Sequence, residues 1–150
     1  MRRTLLVLLA FVALVVAAAP VPARSPAPPP PIAELLARVN DTRADHGLPP
    51  VALRRDVEDI AGRHSVAMSG DKHLRHNDAY FSRSSKRALG ARALGENVAY
   101  AGSVEQAHHA LMASPDHRKN ILDRRWTVIG LGAVDDGELW WITQDFVQPR

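Results

Sequence analysis

Residues 127–147 read TVIGLGAVDDGELWWITQDFV. Two runs, 127–134 and 139–147, are rich in β-branched and aromatic side chains, and Asp135, Asp136, Gly137 and Glu138 between them are turn formers. The stretch therefore predicts an antiparallel hairpin. Upstream the spacing changes to three and four. Ile32, Leu35, Leu36 and Val39 define one helical face that His46-Gly47 and Pro49-Pro50 bring to an end. Leu53, Val57, Ile60, Ala61, His64, Ala67 and Met68 define a second, closed by Ser69-Gly70. Helices before and between, with strands after, predict an α+β domain whose antiparallel sheet is covered by helices rather than a doubly wound parallel fold.

Between these landmarks the pattern is weaker. Residues 71–94 show no sustained period, which predicts a loop-rich segment with a short helix around 84–89. GENVAYAGS, 95–103, is a brief β-like run ending in a turn. Ser103 with Gln106 has capping-box spacing and opens a helix that faces inward through Val104, Ala107 and Leu111. Ser114 then suits an N-cap, Pro115 the first helical position, and Asp116 the positive end of the dipole, so SPDHRKNIL predicts a new short helix.

The chain of 150 residues has room for one compact domain. Arg2 and Arg3, an apolar run over 4–19 and the small-residue site Val21-Pro22-Ala23 read as a secretory signal over 1–23. The apolar run falls short of the ~20 residues that cross a bilayer, so no stable membrane span is expected after cleavage. Residues 24–31, RSPAPPPP, read as a proline-rich linker, which leaves 32–150 as the folded domain. Of 19 basic residues Arg2 and Arg3 leave with the signal, so 17 face 16 acidic ones and the mature net charge falls from +3 to +1. Arg and Lys are interspersed with Asp and Glu, and no nucleic-acid partner is expected. With no cysteine, disulfides and thiol chemistry are excluded, and any metal site must use histidine and carboxylate.

The seven histidines have unequal claims on chemistry. His46 beside Gly47 reads as a cationic ring at a helix end. His64 lies on an apolar helical face and reads as a buried, hydrogen-bonded core histidine. His108 and His109 are adjacent on one helix and cannot chelate together. His76, in HLRHND, sits in an irregular segment where a side chain is free to enter a cleft, with His73 as its competitor. Glu96 precedes an apolar run and, if it points inward, needs a cationic or imidazole partner. His117 is on the first turn of its helix, where the dipole favours the neutral ring that binds metals or acts as a base.

Five motifs in order then show a resemblance: HND at His76, GENVAYAG at 95–102, SPDHRKNIL at 114–122, IGLGAV at 129–134 and WWITQDF at 140–146. Together with the opening VNDTRADHGLPPVAL, they resemble the CAP superfamily of cysteine-rich secretory, antigen 5 and pathogenesis-related 1 proteins, in its short bacterial secreted form. The similarity covers about 32–147. It implies an α-β-α sandwich with a cleft lined by two histidines and acidic residues, on positions that here are His76, Glu96 and His117, with the His117 ring aimed at Glu96. A second glutamate found on the preceding helix of many members is replaced here by Ser114.

Three functions follow from that set. His76, Glu96 and His117 could hold zinc or another divalent cation beside a peptide, lipid or cell-envelope ligand, in a secreted and monomeric binding module. Alternatively the metal activates water and Glu96 and His117 become catalytic residues of a hydrolase of peptide, ester or cell-wall bonds. A serine route through Ser114 and His117 meets the objection that an N-cap hydroxyl is engaged with backbone amides. Lastly, the three side chains form a satisfied polar cluster that organises the fold and binds nothing.

Overall fold

The computed structural model describes residues 29–150. The expected signal over 1–23 and most of the stretch 24–31 lie outside the described residues. The elements run α1 (Pro30–Asp45), β1 (Ala52–Leu53), α2 (Arg55–Asp71), α3 (Arg83–Ala88), β2 (Ala91–Ala101), α4 (Val104–Ala113), α5 (Pro115–Ile121), β3 (Val128–Asp135) and β4 (Trp140–Pro149). The strands form one sheet in the order β1-β3-β4-β2. The fold is the expected α+β sandwich, with one amendment: β1 pairs parallel to β3, so the sheet is mixed rather than wholly antiparallel.

Each strand sends alternate residues to opposite layers. Ile129 and Leu131 of β3 and Ile142 and Phe146 of β4 join Ile32, Leu35 and Val39 of α1, Val104, Ala107 and Leu111 of α4, and Ile121 of α5 in the largest core cluster. On the other face Val147 packs with Val57 of α2, and Val98 and Trp141 pack with Met68. With both faces covered, 141–147 of β4 are buried without a break, which is why that run lacks hydrophobic-polar alternation.

Glycine sets how close α2 comes to the sheet. A Cβ on Gly130 would stand 2.3 Å from the Val57 carbonyl carbon, and one on Gly132 would stand 2.3 Å from the Ala61 carbonyl oxygen. Gly130 and Gly132 share one face of β3, and Val57, Ala61 and Ser65 follow each other at helical spacing along α2. The helix backbone therefore lies directly on the strand. On the opposite layer Arg43, fully buried, donates to the carbonyls of Pro49, Ile121, Asp123 and Trp126 at 2.8–3.3 Å, which ties α1 to the segment joining α5 to β3.

Several boundaries move. Pro30 and Pro31, read as the end of the linker, form the first turn of α1, where the missing N–H groups cost nothing and the fixed φ is already helical. Leu53, read as helical, belongs to β1. β2 begins at Ala91, within the stretch expected to be loop, and a register shift between Ala91 and Ala93 hides its period. The short helix expected at 84–89 is α3, with the Ser82 hydroxyl accepting from the Ser85 N–H.

Candidate functional site

The site is built on β2, the strand at one edge of the sheet. Glu96 turns to the α2 layer and Asn97 to the other, and both are buried. The Asn97 amide donates to the His117 carbonyl at 3.1 Å and to Gln144 Oε1 at 3.1 Å. The Asn120 amide donates to the Glu96 carbonyl at 3.1 Å and to Asn97 Oδ1 at 2.9 Å. These bonds lash α5 to the edge strand and fix the backbone that carries His117.

Glu96 is 3% exposed and its carboxylate is engaged. His76 Nδ1 lies 2.7 Å from Oε1, and the Asn77 N–H donates to the two oxygens at 2.9 and 3.3 Å. A carboxylate only accepts, so Nδ1 of His76 carries the hydrogen and, in the neutral ring, Nε2 keeps the lone pair. The His76 side chain is 54% exposed, so that pair of atoms runs from a buried acid to a solvent-facing base. His73 is exposed and makes no side-chain hydrogen bond among the described residues, so of the two competitors it is His76 that meets Glu96. His64 stands behind the same acid: its Nε2 lies 4.0 Å from Glu96 Oε2 and donates to the Arg75 carbonyl at 2.8 Å. It is the buried, hydrogen-bonded histidine expected, but at the back of the site rather than remote from it.

Asp145 was not anticipated. It sits directly opposite Glu96 in the β2–β4 ladder, so the two side chains share a face. It is fully buried and, among the described residues, neither carboxyl oxygen has a hydrogen-bond partner. Burial first, and then the charge of Glu96, push its carboxyl well above the usual range, so Asp145 keeps its proton while Glu96 accepts from His76 and Asn77. The available signal was an acid inside an otherwise apolar and aromatic strand, where a charge is costly.

His117 is half-buried and its pKa is lowered. Burial is the main cause and repulsion from His76 the second, while Asp116 acts the other way. The ring is neutral as expected, but chiefly for want of water rather than because of the helix dipole. It lines a pocket of about 290 Å³ with Leu74, Val98, Tyr100, Leu111 and Ser114 among its walls. Leu74 and Tyr100 are 38% and 51% exposed, two of the four large apolar side chains open to solvent among the described residues. Ser114 caps α5 as expected, yet its hydroxyl accepts no cap hydrogen bond, contrary to the expectation that the backbone would engage it. It makes no hydrogen bond to His117 among the described residues.

His76 and Glu96 are thus in direct contact, His76 and His117 are close enough to repel, and His117 connects to Glu96 through hydrogen bonds of Asn97 and Asn120. Among the described residues no group of three or more His, Cys, Asp or Glu side chains is arranged to hold a metal ion. As placed, Glu96 orients a ring and does not complete a three-ligand zinc set with His76 and His117. Elsewhere, His46 does cap α1, with its Nδ1 donating to the Thr42 carbonyl at 2.8 Å and its Nε2 lying 3.1 Å from the Arg118 guanidinium.

The model of the cysteine-rich secretory protein (CAP) family matches residues 36–146. Uncharacterized protein YkwD of Bacillus subtilis (strain 168) is 30% identical over 113 residues, which cover 72% of this chain and 43% of that protein. An extracellular protein containing a SCP domain from Bacillus anthracis str. Ames superposes with a TM-score of 0.66 at 28% identity, over 77% of this chain and 39% of that one. An outer surface protein from Borrelia burgdorferi shares the fold, with a TM-score of 0.69 at 13% identity over 80% and 93% of the two chains. This chain spans about two fifths of the length of the two Bacillus relatives. Among the described residues no helix is long and apolar enough to cross a membrane.

Proposed function

The chain belongs to the cysteine-rich secretory protein (CAP) family, and from that premise we propose that it is an exported binding module acting outside the cell. Its ligand is an envelope lipid or acylated molecule, whose alkyl chain enters the pocket beside His117. The observation that carries this reading is the pocket itself. Leu74 and Tyr100 leave apolar surface in water at the mouth of a hollow walled by Val98 and Leu111, and covering such surface is favourable by about 25 cal/mol per Å². His117 and the free Ser114 hydroxyl stand in the same wall, where a ligand's polar end would find an acceptor and a donor. Extracellular localisation is supported by the signal pattern over 1–23 and by the description of the Bacillus anthracis relative.

Hydrolysis has weaker support. Asp145 supplies a second carboxyl, but it is sealed behind Glu96 and cannot reach a substrate. The Ser114 hydroxyl makes no cap hydrogen bond, but among the described residues it also lacks the nucleophile–base hydrogen bond to His117 that a serine route starts from. A divalent cation at His76 Nε2 and His117 would have only two protein ligands while Glu96 stays with His76, a weak set.

Displacement of a fluorescent fatty acid from the purified 24–150 chain tests the proposal. Saturable binding that drops at least tenfold, about 1.4 kcal/mol, in Tyr100→Ala and Leu74→Ala is expected. No binding of fatty acid or acylated peptide by a folded parent would remove the reading. Zinc uptake in a parallel titration that disappears in His76→Ala would move it toward the metal alternative.

A further inference from the structure

One edge of the sheet is only partly covered. β1 pairs with β3 at Val128 and Ile129 alone, and the Ala52 and Arg54 N–H groups donate to the Thr127 and Ile129 carbonyls, so the odd-numbered residues of β3 turn their backbone groups to this edge. The N–H and C=O of Leu131 and Ala133 point the same way, and among the described residues no strand or backbone hydrogen bond meets them there. We propose that an extended peptide, with a basic residue four positions from an aliphatic one, docks along this edge as an added strand.

The surroundings of the edge support a ligand. A groove of about 690 Å³ follows Leu131 and Ala133, with α2 as one wall through Asp59, Gly62 and Val66, and with Ile32 of α1 from the helix layer on the other face. Leu131 is 1% exposed, so its edge-facing amide and carbonyl have little water as well as no partner, a costly state that a ladder relieves. Gly62 is a second, separate sign. It sits inside α2, where glycine weakens a helix relative to alanine, yet a Cβ there would meet nothing within 4 Å. Contacts within the chain do not call for glycine, whereas a second backbone lying close against the helix does.

The chemistry of the occupant follows from the spacing. Alternating N–H and C=O groups select an extended polypeptide over a lipid or a glycan, because only a strand presents matching groups at that repeat. α2 runs beside β3 in the same direction, with Val57 at Gly130 and Ala61 at Gly132. Glu58 and Asp59 therefore stand at one end of the groove and Val66, 59% exposed, at the other. Neither acid is in an ion pair among the described residues, and with Arg63 on the same wall the groove keeps a net negative charge that a basic side chain complements. From Glu58 to Val66 the helix rises about 12 Å. Four strand residues span about 13 Å, and residues four apart share a face. A Lys or Arg at one position thus meets the acids while a Val, Ile or Leu four residues away covers Val66. The groove shares no residue with the pocket beside His117.

The test is an NMR titration of the ¹⁵N-labelled 24–150 chain with acetyl-KTVTV-amide, followed at the backbone amides. Saturable shifts with Kd of about 1 mM or tighter are expected, largest at Leu131 and Ala133 and smaller at Gly130 and Gly132, whose backbone groups face β4. N-methylation of the peptide at one alternate set of residues should abolish binding, and at the other set should leave it, because only one set enters the ladder. Glutamate in place of the lysine should weaken the peptide at least tenfold. Gly62→Leu, a better helix former in open space, should raise the urea midpoint yet weaken the peptide at least tenfold. Tyr100→Ala, which reads the fatty-acid pocket, should leave peptide binding unchanged, so either reading can fail without the other. A native-like parent that does not saturate overturns the proposal, as does equal loss from both N-methylated sets. Leu131 and Ala133 amides already protected from exchange in the free chain would mean that residues 24–28 or a second copy fill the edge, and would overturn it too.

Discussion

The two faces of the sheet solve the same packing problem with different materials. On the α1, α4 and α5 face, aliphatic side chains from three helices meet Ile129, Leu131, Ile142 and Phe146 in one continuous cluster. On the α2 face the helix approaches so closely at Gly130 and Gly132 that no side chains fit between, and the space beyond is given to Ser65, Thr143, His64, Glu96 and Asp145. Ser65 donates to Thr143 at 2.9 Å within that layer. The first face uses burial to hold the fold. The second uses a close helix–strand contact to free volume for polar groups, which then reach solvent through His76 at one side and His64 at the other.

The sharpest way to break this contrast is to deny α2 its approach. Gly132→Ala places a methyl against the Ala61 carbonyl, and a loss of at least about 4 kcal/mol in urea unfolding, or failure to fold, is expected. The same change at Gly137, a turn glycine with nothing within 4 Å, costs only its positive-φ strain of about 1 kcal/mol. On the opposite face Arg43→Met strands four carbonyls at once. About 3 kcal/mol should be lost there, with the midpoint moving and the m-value unchanged.

Next in size is a prediction about pH. The Asp145 carboxyl keeps its proton in the folded chain to a higher pH than in the unfolded one, because burial and Glu96 disfavour its charge. The native state therefore binds the extra proton, and stability falls as pH rises from the ordinary carboxylate range into the alkaline range. Asp145→Asn keeps the shape and removes that slope. The variant should gain on the order of 2 kcal/mol over the parent at pH 8 and much less at pH 5. A constant difference across that range would contradict the assignment.

The smallest effect concerns His108, where burial, with repulsion from His109 and Arg38, lowers the ring to about 4 and Thr42 Oγ1 lies 2.8 Å from Nε2. The unfolded chain takes up its proton first, near the ordinary histidine value of about 6.5, so stability is lost as pH falls from there toward about 4. His108→Gln should flatten that acid limb by about 1 kcal/mol at pH 5 in thermal or urea unfolding.

Both faces were legible to different degrees. The aliphatic face was readable because α1 and α4 repeat apolar residues at three and four, and because Ser103 and Pro115 mark helix starts that the structure keeps. The hairpin of β3 and β4 was readable from its composition. β2 was half missed, since a strand buried on both sides with a bulge at its start shows neither alternation nor a clean beginning. Within the site, His76, Glu96 and His117 were nameable from the family resemblance, and the contact between the first two is present. Asp145 and the closeness of His64 to Glu96 were not. They depend on strand register and on the proximity of α2, which no local pattern encodes. The neutral ring of His117 was foreseen, but burial rather than the dipole dominates, and burial is settled only when α5 docks on Asn97.

The account rests on Glu96 acting as the buried anchor that fixes His76 with Nδ1–H inward and Nε2 outward. Two-bond ¹⁵N–¹H spectra of the His76 ring at pH 8 measure this directly, in the parent and in Glu96→Gln. The Nδ1–H tautomer is expected in the parent and a mixture dominated by the commoner Nε2–H form in the variant, with the fold intact. An Nε2–H ring in the parent, or identical spectra in both proteins, would contradict it.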